Sequence, residues 1–122
     1  MKKPNEDTIQ ISSLNHNQSE RMLAIIALGI LEGIKNDVVD FTEAEKSLFG
    51  PYGRGVLVNL GLSKKLIDLV HSASALEDIE EISPKNPKLA LAKEIEDLQK
   101  DALEILGETE HDPYSYKYWL DY

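Results

Sequence analysis

Apolar residues recur at helical spacing along most of the chain, and the breaks between these runs are marked by capping residues, glycine or proline. The first run contains Met22, Leu23, Ile25, Ile26, Leu28, Ile30, Leu31 and Ile34. It predicts a helix that starts near Asn17 or Ser19 and ends near Asn36. These positions go round more than one face, so the helix is expected to be central and buried on several sides. Gly29 and Gly33 share a face and lower helix propensity, which predicts close approach by another helix.

A capping box, Thr42-Glu43-Ala44-Glu45, opens a second, short helix that should stop at Gly50-Pro51. A third short helix is expected from Pro51 to Leu60, closed by Gly61. Gly53 and Gly55 flank Arg54, but no GxGxxG or Walker pattern follows, so a phosphate-cradling loop is not supported. Ser63 can cap a fourth helix with Leu66, Ile67, Leu69 and Val70 on its apolar face. Ser74-Ala75-Leu76-Glu77 is a further capping box that restarts or continues it to Ile82. Ser83-Pro84-Lys85-Asn86-Pro87 then interrupts the chain. Asn86 as cap, Pro87 at the first helical position and Gly107 as stop define the last long helix, about 87 to 106.

These elements describe an all-α protein, a compact bundle of about five helices with a central apolar helix and an aromatic C-terminal tail. At 122 residues one domain is expected over 1–122, with residues 1–17 a polar lead-in and 108–122 the tail. The lead-in lacks the apolar run of an export signal, and Met22 to Leu31 is too short for a bilayer span. The expected location is therefore the cytoplasm, without a membrane partner.

In the last helix, Leu91, Ile95, Leu98, Ala102 and Ile105 recur at 4, 3, 4 and 3 residues, an apolar seam whose ordinary use is core packing. Beside it runs an acidic row, Glu94, Asp97, Asp101, Glu104 and Glu108, spaced 3, 4, 3 and 4. Like charges at these spacings repel, and no lysine of the same helix stands inside the row. Glu77, Asp78, Glu80 and Glu81 extend the sign bias upstream. The net charge is −9, and residues 77–122, with 13 acids and 5 lysines, hold −8 of it. Direct nucleic-acid binding is disfavoured, because such a surface repels phosphates. The row is either a solvated face that aids solubility or a surface complementary to a basic partner.

The tail gathers Tyr114, Tyr116, Tyr118, Trp119 and Tyr122 within nine residues. Such residues serve equally as a flap over the helices, with alternate tyrosines on one side as in a short strand, or as interface anchors. Catalysis has little to rest on. There is no cysteine, His16, His71 and His111 form no ligand motif, and His111-Asp112 has no accompanying nucleophile. No enzyme activity, metal or cofactor is expected.

The stretch Phe41 to Tyr52, followed by Leu57 to Gly61, Ile67 to His71 and Leu76 to Ile79, resembles a family of short bacterial proteins classed as a domain of unknown function, over residues 20–106. In size, acidity and helical character the chain also resembles immunity proteins of bacterial toxin systems, including contact-dependent growth inhibition. That second resemblance implies a cognate protein toxin as partner, often a nuclease with a basic groove that an acidic protein covers. The expected partner-binding residues are Glu77, Asp78, Glu80, Glu81, Glu94, Asp97, Asp101 and Glu104, with Tyr116, Tyr118 and Trp119 as anchors. The alternative is a non-catalytic regulatory or scaffold module acting through helix-mediated or homo-oligomeric contacts. Monomer and homodimer both remain open.

Overall fold

The computed structural model describes residues 10–12, 15–82, 85–113 and 118–121. The fold is all-α. In chain order, β1 (Gln10–Ile11) leads to α1 (His16–Lys35) and to α2 (Phe41–Ala44), which widens into a π turn over Glu45–Phe49. Then come α3 (Pro51–Asn59), α4 (Lys64–Ala73), α5 (Leu76–Ile82), α6 (Pro87–Glu108) and β2 (Leu120–Asp121).

The two long helices, α1 and α6, form the principal pair, and α4 and α5 also pack on α6. The whole apolar seam of α6 is core: Leu91, Ile95, Leu98, Ala102 and Ile105 are all buried. From α1 the buried residues are Met22, Ala24, Ala27, Leu31 and Ile34, while Leu23, Ile26, Leu28 and Ile30 are half-buried. Ile25 is exposed, so α1 keeps one open side and is less enclosed than its apolar pattern predicts. A Cβ added at Gly29 would accordingly meet nothing within 4 Å beyond its own helix backbone. Gly33 is closely approached, although by the side chain of Val39 in the following loop and not by a helix.

Several helix ends differ from the sequence expectation, each for a local reason. Asn15 caps α1, its side chain accepting from the Gln18 amide at 2.9 Å, so the helix starts one or more residues before the expected caps. Asp40, not Thr42, caps α2 by accepting from the Glu43 amide at 2.7 Å; with the helix starting at Phe41, the Glu45 amide that Thr42 would have capped already donates to Phe41 O. Ser74 closes α4 and donates its hydroxyl to the His71 carbonyl, and the first α5 amides, those of Asp78 and Ile79, donate to the Ala75 carbonyl. Ser63 caps α4 as predicted. Gly61, at φ +71°, ends α3 with Gly61 N–H donating to Val58 O and Leu62 N–H to Leu57 O, the double bond pattern of a left-handed helix stop.

α6 runs through Gly107 to Glu108 instead of stopping at the glycine. Its last carbonyls are satisfied by side chains: Thr109 Oγ1 donates to Ile105 O at 2.9 Å, and Arg21 of α1 donates to Leu106 O at 2.9 Å. With those acceptors occupied, no left-handed residue is needed at 107. Asn86 holds the cap position of α6 without a side-chain bond, and Pro87 stands in the first turn.

β1 and β2 pair as a two-stranded antiparallel ribbon, Gln10 opposite Asp121 and Ile11 opposite Leu120. β2 thus docks on β1, and the Ser12 amide donates to Trp119 O at 3.0 Å.

Candidate functional site

The acidic row of α6 faces outward, because the seam a quarter-turn away is committed to the core. Asp97, Asp101 and Glu104 are exposed and Glu94 is half-buried. Asp101 and Glu104 line a depression of about 200 Å³ between α6 and α4, together with Lys65, Asp68 and Ser72. The Asp101 carboxyl is held above its ordinary pKa, first by partial burial and then by the negative charges of Glu104 and Asp97, with Lys65 acting in the opposite direction.

Lys65 is the basic group that no reading of α6 alone could supply. It arrives from α4, bonds the Glu108 carboxylate and lies 3.8 Å from that of Glu104. Its ammonium is held above the usual value, chiefly by the bond to Glu108. The C-terminal end of the row is therefore partly neutralised by a cation from another helix. Glu94 and Asp97 are in no ion pair among the described residues.

The upstream acids do not all join that surface. Glu77, Asp78 and Glu81 are exposed on α5, and Glu80 belongs to the same helix. Glu77 lines a different depression, of about 240 Å³, walled by the π turn, α3 and α4. At 100° per residue, the α4 positions lining the two depressions lie on different sides of that helix. Of the aromatic anchors, Tyr118 is exposed and Trp119 half-buried beside β2, while Tyr116 lies outside the described residues.

Two features escaped the sequence. One is an apolar groove of about 450 Å³ between α1, α3 and β1, bordered by Ile11, Tyr52, Val56 and Leu60, all four exposed. Each reads as an ordinary member of a short helix or lead-in, and only their convergence makes a groove. The other is a contact between Arg54 and His71, the guanidinium bonded to Nδ1 of the imidazole across α3 and α4. His16 lies at the start of α1 and His111 is exposed after α6. Among the described residues no group of three or more His, Asp or Glu is gathered as metal ligands would be, and no helix is long and apolar enough to cross a membrane.

No curated protein and no solved structure matches the chain. One family does, described as "Protein of unknown function (DUF3969)", and the match extends over residues 14–121. It takes in both long helices and reaches Leu120 and Asp121 in β2, beyond the 20–106 span over which a resemblance was visible. With its all-α fold and this match over nearly its whole length, the chain belongs to the DUF3969 family.

Proposed function

We propose that this protein is an immunity protein. It binds a cognate bacterial toxin with a basic substrate groove, a nuclease of the kind used in contact-dependent growth inhibition, and covers that groove with the acidic outer face of α6. The observation that supports this reading is the clustering of Asp97, Asp101 and Glu104 on an exposed helix face, where partial burial first and then the charges of Glu104 and Asp97 raise the pKa of Asp101. A surface that holds like charges together is complementary to a cationic groove, where it speeds encounter and orients the complex. Tyr118, exposed, and Trp119, half-buried, offer further aromatic contact from the β2 end of the chain. The test is stopped-flow association with basic nuclease toxin domains of this class. Asp97→Lys, Asp101→Lys and Glu104→Lys together should slow association and flatten its salt dependence, and the wild type should protect nucleic acid from cleavage. Unchanged kinetics, or no protection, would overturn the assignment.

The apolar groove at Tyr52, Val56 and Leu60 favours a second reading, a scaffold module that docks a helix or another copy of itself. Leu60→Glu would then abolish self-association or helix binding in sedimentation experiments, and toxin activity would be untouched by the wild-type protein.

A further inference from the structure

We propose that the depression between the π turn, α3, α4 and α5 is a binding site for a small monocarboxylic acid with an apolar body, anchored by Arg54. This goes beyond the acidic-face reading and uses a different part of the molecule. The inner wall is apolar, formed by the buried side chains of Ile34, Phe49, Val70 and Ala73. Arg54 stands at the rim, half-buried. Its planar fork carries five donors suited to a carboxylate. One of them is bonded to Nδ1 of His71.

Among the described residues no carboxylate forms an ion pair with Arg54, although Glu45 and Glu77 line the same depression. A half-buried guanidinium left without a carboxylate, above an apolar wall, is matched by an acid that brings both parts. The two glutamates set the charge of that acid, since they would repel the second charge of a phosphate ester. Size follows from volume. A cavity of about 150 Å³ accommodates benzene, so the 240 Å³ here suits a molecule of roughly ten non-hydrogen atoms.

The backbone supports the same geometry. The chain passes from the π turn into α3 through Gly50 and Gly53, where a Cβ would run into the carbonyl oxygens of Glu45 and Leu48 respectively. Arg54, one turn into α3, lines the same depression as Phe49 and Val70. π turns occur frequently where a helix is shaped around a functional site.

Phenylacetate, phenylacetamide and inorganic phosphate are the probes, titrated against the full-length protein while the NMR signals of the Arg54 side chain and the Val70 and Ala73 methyls are followed. Phenylacetate should shift all three with a Kd on the order of a millimolar or tighter. Arg54→Gln should weaken it by roughly tenfold or more, with the circular dichroism spectrum unchanged. Ala73→Val, which leaves the guanidinium in place and shrinks the cavity, should weaken it as well. The proposal fails if phenylacetamide binds as well as the acid, if phosphate shifts the same methyls, or if no probe shifts them at tens of millimolar. It fails equally if a short apolar peptide with a free C-terminus binds more tightly than phenylacetate, which would place a polypeptide end in the site. None of these readouts involves a protein partner, so they are decided separately from the fate of the acidic-face reading.

Discussion

The Arg21 guanidinium, from the second turn of α1, donates to the Thr109 carbonyl oxygen at 2.9 Å and lies 3.3 Å from its hydroxyl. The same nitrogen reaches Leu106 O, so one α1 side chain closes the C-terminus of α6. One turn earlier, Asn17 adds a two-way link to the Glu110 backbone, its amide donating to Glu110 O at 2.7 Å and its oxygen accepting from Glu110 N–H at 3.0 Å. A cation at the negative end of a helix also complements its dipole. Arg21→Met should therefore cost about 1.5–3 kcal/mol, the range for part-buried bonds to a charged group, as read by urea denaturation. Asn17→Ala should cost less, since its bonds are exposed. In both variants hydrogen exchange should quicken at the end of α6 before it quickens at Ile95. Equal quickening throughout the helix would mean that the clamp stabilises the whole fold and not the helix end.

That clamp shows where the reading of the sequence stopped. The apolar seam of α6 was legible because burial on one side of a helix imposes a period that needs no partner to be identified. The caps of α1 and α2 were misplaced by a few residues because Asn15 competes with Asn17 and Ser19, and Asp40 with Thr42, as equally suitable local acceptors. Gly107 was mistaken for a stop because the groups that satisfy the helix end include Arg21, 85 residues distant from Leu106. The acidic row was visible as a row, but Lys65, which bonds its end, comes from another helix. The Arg54 depression and the apolar groove depend wholly on which elements meet.

The glycines on either side of Arg54 should respond oppositely to alanine. At Gly53 a Cβ would strike the backbone of Leu48, which has no flexible side chain to move aside. At Gly55 nothing lies within 4 Å. Gly55→Ala should stabilise the protein by about 0.5–1 kcal/mol through helix propensity, whereas Gly53→Ala should lower the thermal midpoint. Stabilisation by both would show that the π turn can withdraw from α3.

After α1, Asp37 occupies the left-handed region at φ 59°, the conformation that lets Val38 and Val39 N–H turn back to Gly33 O. A non-glycine residue is strained there. Its carboxylate lies 3.8 Å from the Lys88 ammonium, but both side chains are well exposed and such a pair contributes little. Asp37→Gly should stabilise the fold by about 0.5–1 kcal/mol, the relief of strain exceeding the loss of the ion pair. A lower denaturation midpoint for this variant would show that the Lys88 contact outweighs the backbone term.

The acidic face has its own signature in the pH dependence of stability. Asp101 has a folded-state pKa above its ordinary value of 3.8, because of partial burial and the nearby charges of Glu104 and Asp97. Between the two values the folded protein holds a proton that the unfolded chain has released. This group's contribution is therefore most favourable below 3.8 and is lost as pH rises through the raised folded value, opposite in sign to a salt-bridged carboxylate. At neutral pH Asp101 is ionised among like charges, and Asp101→Asn should raise stability by about 0.2–0.5 kcal/mol for each repulsive neighbour relieved. The gain should shrink on acidification and in high salt, where the repulsion is already weakened. Lys65→Met should do the reverse, raising the Asp101 pKa further and lowering stability at neutral pH, because it removes the cation that opposes the shift. If Asp101→Asn is instead less stable at neutral pH, attraction to Lys65 governs the site. The face would then be balanced within the protein, and its negative charge would no longer speak for a basic partner.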